Sequence, residues 1–96
     1  MKNKIFLDVR TPQEFEEVHL RDSFLIPLDK IGNFIEPLQD LKETIVIVCR
    51  SGARAHFAQK ILAQANITNT EVLEGGIINL NPNEYPLEKG MKKIGI

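Results

Sequence analysis

"TIVIVCRSGARAHFAQKIL", residues 44–62, changes character twice within a few turns of chain. Thr44 to Val48 is a β-branched apolar run, as expected for a central parallel strand buried on both faces. From Arg54 onward, Phe57, Ala58, Ile61, Leu62 and Ala65 recur at helical spacing. This predicts a helix with those five residues on its inward face and Asn66 as a left-handed stop. Between the two lies CRSGAR, a turn whose Gly52 lets the backbone curl with positive φ. Strand, tight turn, helix is the repeating unit of an α/β domain.

The same alternation extends in both directions. Upstream, KIFLDV (residues 4–9) reads as a short buried strand. Thr11, Pro12 and Glu14 then occupy the N-cap, N1 and N3 places of a capping box, which predicts a helix with Phe15 and Val18 inward. SFLIPL (residues 23–28) reads as a strand stopped at Pro27. Asp29 is the expected cap of a helix striped by Ile31, Phe34, Ile35 and Leu38, with Pro37 ending or bending it near Glu36. Downstream, TEVLEGG (residues 70–76) reads as a last short strand closed by a glycine pair. From Asn79 to Ile96 the composition is that of turns, with Lys92 and Lys93 in a solvated tail. Alternating strands and helices predict an α/β fold of three layers, a central, mostly parallel sheet with helices on both faces.

Composition limits the functions this fold can serve. The 96 residues are 43% hydrophobic and 26% charged, enough for one domain, 1–96, with one core and no case for disorder. A formal net charge of -1 supplies no field for nucleic acid or an anionic membrane, so neither is expected as a partner. No apolar run approaches a membrane span. One cysteine allows no internal disulfide, which favours a reducing, cytoplasmic setting.

That cysteine, Cys49, sits where α/β sheets place their ligands, just beyond the carboxyl end of a strand. A lone cysteine closing a buried strand is often an inert packing residue. Here the turn argues otherwise. Successive N–H groups of a curled turn at a helix start form an anion-binding nest, and the helix dipole adds to it. A free thiol near pKa 8.5 is only roughly 3% thiolate at pH 7. A lowering of about two units, roughly 2.7 kcal/mol, makes thiolate the majority form. Arg50 and Arg54 bring cations to the turn, and no acid lies between Glu43 and Glu71 in the sequence. Cys49 is therefore the candidate nucleophile. A Walker-type phosphate loop is disfavoured, since the turn lacks its lysine and flanking glycine.

Three stretches in order, FLDVRTPQEFEEVHL, VIVCRSGARA and VLEGGI, resemble the landmarks of single-domain rhodaneses, and PLEKG resembles the usual ending. The resemblance implies a rhodanese-like domain, shortened at its N-terminus, that works as a sulfurtransferase. Cys49 is then the catalytic residue. The loop residues Arg50, Ser51, Gly52, Ala53 and Arg54 bind substrate, their N–H groups holding a Cys49 persulfide and the two arginines attracting the donor. The implied partners are a small anionic sulfur donor such as thiosulfate, or a persulfide, and an acceptor such as cyanide, a thiol or a protein thiol. No metal or other cofactor is required. The N-terminal strand and helix usual before Asp-Val-Arg in such proteins are missing, which predicts an uncovered sheet edge and favours a homodimer or a partner-bound form. A tryptophan common after Gly-Gly-Ile in such proteins is absent, with Leu80 near its place.

Two other functions compete. Cysteine phosphatases space nucleophile and arginine as Cys-x5-Arg, because phosphate needs a wider cradle, whereas Cys49 and Arg54 stand as Cys-x4-Arg. The other is a low-turnover persulfide relay or docking module for a partner protein. Among the remaining polar residues, Asp8 and Arg10 are expected to fix the opening turn and His19 to pack. His56 is expected to face solvent, and Glu74, Gly75 and Gly76 to form a tight turn beside the loop.

Overall fold

The computed structural model describes residues 3–90. Strand β1 (Lys4–Asp8) leads into helix α1 (Pro12–Glu17), followed by two short strands, β2 (His19–Leu20) and β3 (Ser23–Leu25). A 3₁₀ helix (Leu28–Phe34) runs into α2 (Ile35–Gln39), then come β4 (Thr44–Val48) and α3 (Ala53–Gln64). Strand β5 (Thr70–Val72), a second 3₁₀ turn (Ile77–Asn79) and β6 (Leu87–Glu88) complete the order. Four strands form a parallel sheet in the order β3-β1-β4-β5, so the TIVIV run is central, as its composition requires.

Side-chain alternation divides the sheet into two faces. Leu7, Val9, Ile45, Ile47 and Cys49 point to one face and join Ile31, Leu38, Ala55, Ala58 and Leu62 in the main buried cluster. The 3₁₀–α2 segment and α3 therefore cover that face. Phe6, Asp8, Val46 and Val48 turn to the other, where Tyr85 stands edge-on to Phe6 with ring centroids 6.3 Å apart. Phe15, His19 and Leu20, from α1 and β2, are buried outside the main cluster and close this second layer. The three-layer α/β architecture is as the sequence predicts.

The two well-marked helices form as their ends dictate. Thr11 caps α1: its side chain accepts from Glu14 N at 3.2 Å, and its own N–H donates to Glu14 Oε1 at 3.0 Å. At the far end of α3, Asn66 takes φ 65 and donates to Ala63 O, while Ile67 donates to Leu62 O. This is a Schellman stop, sealed by the buried pair Leu62 and Ile67.

Four expectations need correction. Asp29 does not cap a helix; Pro27 precedes a 3₁₀ segment that has no side-chain cap, and the predicted stripe is split between 3₁₀ and α geometry. Pro37 neither ends nor bends α2. It lies in the first turn, where a helix N–H has no intrahelical acceptor to lose. Phe57 is 58% exposed, because α3 turns Ala55, Ala58 and Leu62 to the sheet and puts Phe57 at the flank. The region beyond Asn79 is not all turn: β6 pairs antiparallel with β2, His19 opposite Glu88 and Leu20 opposite Leu87. Met91 to Ile96, with Lys92 and Lys93, lie outside the described residues. Among the described residues no helix is long and apolar enough to cross a membrane.

Candidate active site

The β4–α3 turn carries the candidate nucleophile. Cys49 leaves β4 on the side of the main cluster, Gly52 adopts φ 118, and α3 begins at Ala53. That φ is open to glycine and strained for other residues. The curl brings two backbone donors onto sulfur: Gly52 N lies 2.9 Å and Ala55 N 3.4 Å from Cys49 Sγ. Cys49 is only 1% exposed, enclosed by its own loop. Of the loop amides expected to hold sulfur, only that of Gly52 reaches Sγ. Its companion donor comes from Ala55, one residue beyond the predicted set. Arg50, Ser51 and Ala53 are exposed on the outer side of the turn.

The two arginines have different environments. Arg54 is half-buried and bound in a fork to Glu14: Nη1 to Oε1 at 2.8 Å, Nη2 to Oε2 at 2.9 Å. The Arg54 hydrogen bonds hold the Glu14 carboxyl down at about 2, with help from Thr11. In return the Glu14 carboxylate raises the Arg54 guanidinium above its ordinary value. The acid-free interval around Cys49 is thus a property of the sequence alone; the fold supplies an acid from α1. Arg50 keeps its charge uncompensated by any ion pair among the described residues.

Nearby polar residues serve the frame. Arg10 Nε and Nη2 donate to Asp8 Oδ1 and Oδ2 at 3.0 and 2.9 Å, and Nη2 also donates to Val18 O at 2.6 Å. That buried pair fixes the turn after β1, as expected. His19 packs flat on Phe15 with centroids 3.7 Å apart, and its Nδ1 meets Phe15 O at 2.8 Å. His56 faces solvent and reaches Glu74 Oε1 at 3.2 Å. Glu74, Gly75 and Gly76 do form a turn beside the loop, closed by Gly76 N to Leu73 O at 3.1 Å.

That turn has a closer relation to the loop than the sequence shows. Ile77 N donates to Cys49 O at 2.9 Å and Ile78 N to Arg50 O at 3.2 Å. An open groove of about 370 Å³ lies on the other side of β4, walled by Val9, Thr11, Pro27, Leu28, Arg54 and Phe57. Another cavity, near Lys42 and Thr44, is at the amino end of β4, away from Cys49. Glu14, Ala55 and Ile77 to Ile78 are the site residues that sequence reasoning missed. Glu14 was visible as a helix cap, and nothing in the order of residues joined it to Arg54.

Comparison with known proteins agrees with this geometry. The chain is similar to the thiosulfate sulfurtransferase GlpE of Pseudomonas syringae, at 32% identity over 84 residues, 88% of this chain and 77% of that one. It is similar to the thiosulfate sulfurtransferase PspE of Escherichia coli at 27% identity, covering 69% of this chain and 64% of that protein. Its fold is similar to a rhodanese with anions from E. coli, with TM-score 0.78 and 26% identity over 92% of this chain and all of that one. The sequence profile of the Rhodanese-like domain family matches residues 1–81, and with the Cys49 loop in place the chain belongs to that family.

Proposed function

We propose that this protein is a sulfurtransferase that carries sulfane sulfur on Cys49. The observation that carries the reading is the pair of backbone donors, from Gly52 and Ala55, on Cys49 Sγ. Two amides at a helix start form an anion-receiving cradle at the sulfur, the geometry suited to holding a persulfide formed on it. Thiolate attacks the outer sulfur of thiosulfate, a new S–S bond forms, and the old S–S bond breaks with its electron pair leaving on sulfite. An acceptor, cyanide or a thiolate, then attacks the terminal sulfur and releases the Cys49 thiolate. The names of GlpE and PspE support thiosulfate as the test donor.

Intact-mass measurement after incubation with thiosulfate tests this. The expected result is a gain of one sulfur atom, ~32 Da, removed by cyanide and absent in Cys49→Ala. No mass gain with thiosulfate or with an organic persulfide sinks the proposal. A relay role for a partner protein is the second reading. It is favoured by Phe57 and Ile78, 58% and 57% exposed, which are borne by the two segments bonded to the loop. Stoichiometric persulfidation with negligible steady-state turnover supports the relay.

A further inference from the structure

Gly76 lies in contact with the catalytic loop. A Cβ built there meets Arg50 O at 2.2 Å, Arg50 C at 2.4 Å and Ser51 N at 2.6 Å. All three are backbone atoms of a single peptide unit, which no rotamer change can clear. Gly76 also takes φ 66, so two separate constraints exclude a side chain. Immediately after it, the N–H groups of Ile77 and Ile78 bind the carbonyls of Cys49 and Arg50.

These bonds have a directional consequence. A trans peptide is planar, with its C=O and N–H pointing opposite ways. Where the Cys49 carbonyl is drawn towards Ile77, the Arg50 N–H points away from it. Where the Arg50 carbonyl is drawn towards Ile78, the Ser51 N–H points away likewise. The segment after β5 thereby sets the rotation of two successive loop peptides from outside.

We infer that Gly76 is a positioning residue for the reaction: with Ile77 and Ile78 it clamps the Cys49–Arg50 and Arg50–Ser51 peptides, and so holds the start of the curl that brings the Gly52 and Ala55 N–H groups onto the reacting sulfur. This inference rests on reading Cys49 as the nucleophile. Gly75 is the natural control. It belongs to the same turn and has φ 80, but a Cβ there meets only the Asn79 side chain, at 3.2 Å and more. Alanine at either position strains the turn, whereas alanine at 76 alone must push the loop peptide aside.

The test is the rate of Cys49 alkylation by iodoacetamide at pH 7 relative to pH 10, in wild type, Gly76→Ala and Gly75→Ala. The expected ratio falls about tenfold in Gly76→Ala, the scale of hydrogen bonds lost to a charged group. In Gly75→Ala it stays within about twofold. Equal falls in both variants, or no fall in Gly76→Ala, overturn the inference. Should Gly76→Ala fail to fold, wild-type amide exchange decides: the clamp requires protected Ile77 and Ile78 N–H groups, and exchange at unfolded-chain rates overturns it. The persulfide assay is independent of these readouts. If wild-type Cys49 takes no sulfur but the alkylation ratios behave as expected, the sulfurtransferase reading fails and the clamp stands.

Discussion

Arg54 and Glu14 stand fork to fork, 40 positions apart in sequence, joining the turn that bears Cys49 to the cap of α1. Glu14 therefore has two roles. One oxygen accepts the Thr11 N–H of the capping box, and both accept from the guanidinium. A side chain shared in this way couples the first helix to the loop more firmly than a surface ion pair alone.

Acid should undo that coupling over a definite range. The Glu14 carboxyl is lowered from 4.5 to about 2 in the folded chain, so its contribution is complete above about 4.5 and disappears as pH falls through about 2. Both partners are partly exposed, and solvent screening reduces the effect to on the order of 1 kcal/mol. Urea midpoints of wild type and Glu14→Gln are expected to differ most at pH 7 and to converge near pH 2. A gap that stays constant with pH contradicts the assignment.

The division of labour between the arginines is also measurable. Arg50→Ala should lower kcat/KM for thiosulfate about tenfold and remove most of its salt dependence, because that exposed charge is uncompensated. Arg54→Ala should retain more of the salt dependence and lose more thermal stability, since its charge is already balanced by Glu14. Stopped-flow rates at two ionic strengths, read beside melting curves, compare them. The reverse ranking would restore Arg54 as the main donor-binding cation.

The Asp8–Arg10 pair is a structural commitment. With side chains 0% and 4% exposed, neither charge can be rehydrated without opening the turn. Removing one partner leaves the other buried, which costs about 3–5 kcal/mol. Asp8→Ala and Arg10→Ala should each lower the unfolding free energy from urea titration by that amount, with a double substitution well short of their sum. Additive losses in the cycle would deny the pairing.

The proton on His19 can be placed. A carbonyl only accepts, so the contact with Phe15 O requires hydrogen on Nδ1. The other nitrogen, Nε2, is buried with no hydrogen-bond partner and lies 3.6 Å from Glu88 Oε1. Ring nitrogen-15 shifts should show a protonated Nδ1, with its signal protected from solvent exchange. An unprotonated Nδ1 is the result that excludes this hydrogen bond.

The sequence was most legible where local signals agreed. TIVIV, the Thr11–Glu14 box, Gly52 and the Asn66 stop each follow from neighbours within a few positions, and each holds its expected place. The fold class, Cys49 and its loop were accessible in the same way. What could not be read depends on contacts distant in sequence. Strands β2 and β6 are two residues each, too short for a periodic pattern. Phe57 missed the core because small Ala55 and Ala58 let α3 approach the sheet on a slightly rotated face. Glu14 beside Arg54, and Gly76 beneath the Arg50–Ser51 peptide, depend on the closed fold.

The order of the central strands has a consequence for how the chain matures. Lys4 pairs with Thr44, so the first strand made waits some 40 positions for its neighbour, and the loop-closure entropy must be met before that ladder gives any return. Until it closes, the sole thiol is open to water; once it closes, Sγ is enveloped by its own amides. The change in that thiol's alkylation rate, from its unfolded-chain value to its native one, would therefore time the docking of the sheet during refolding, with no probe added to the molecule.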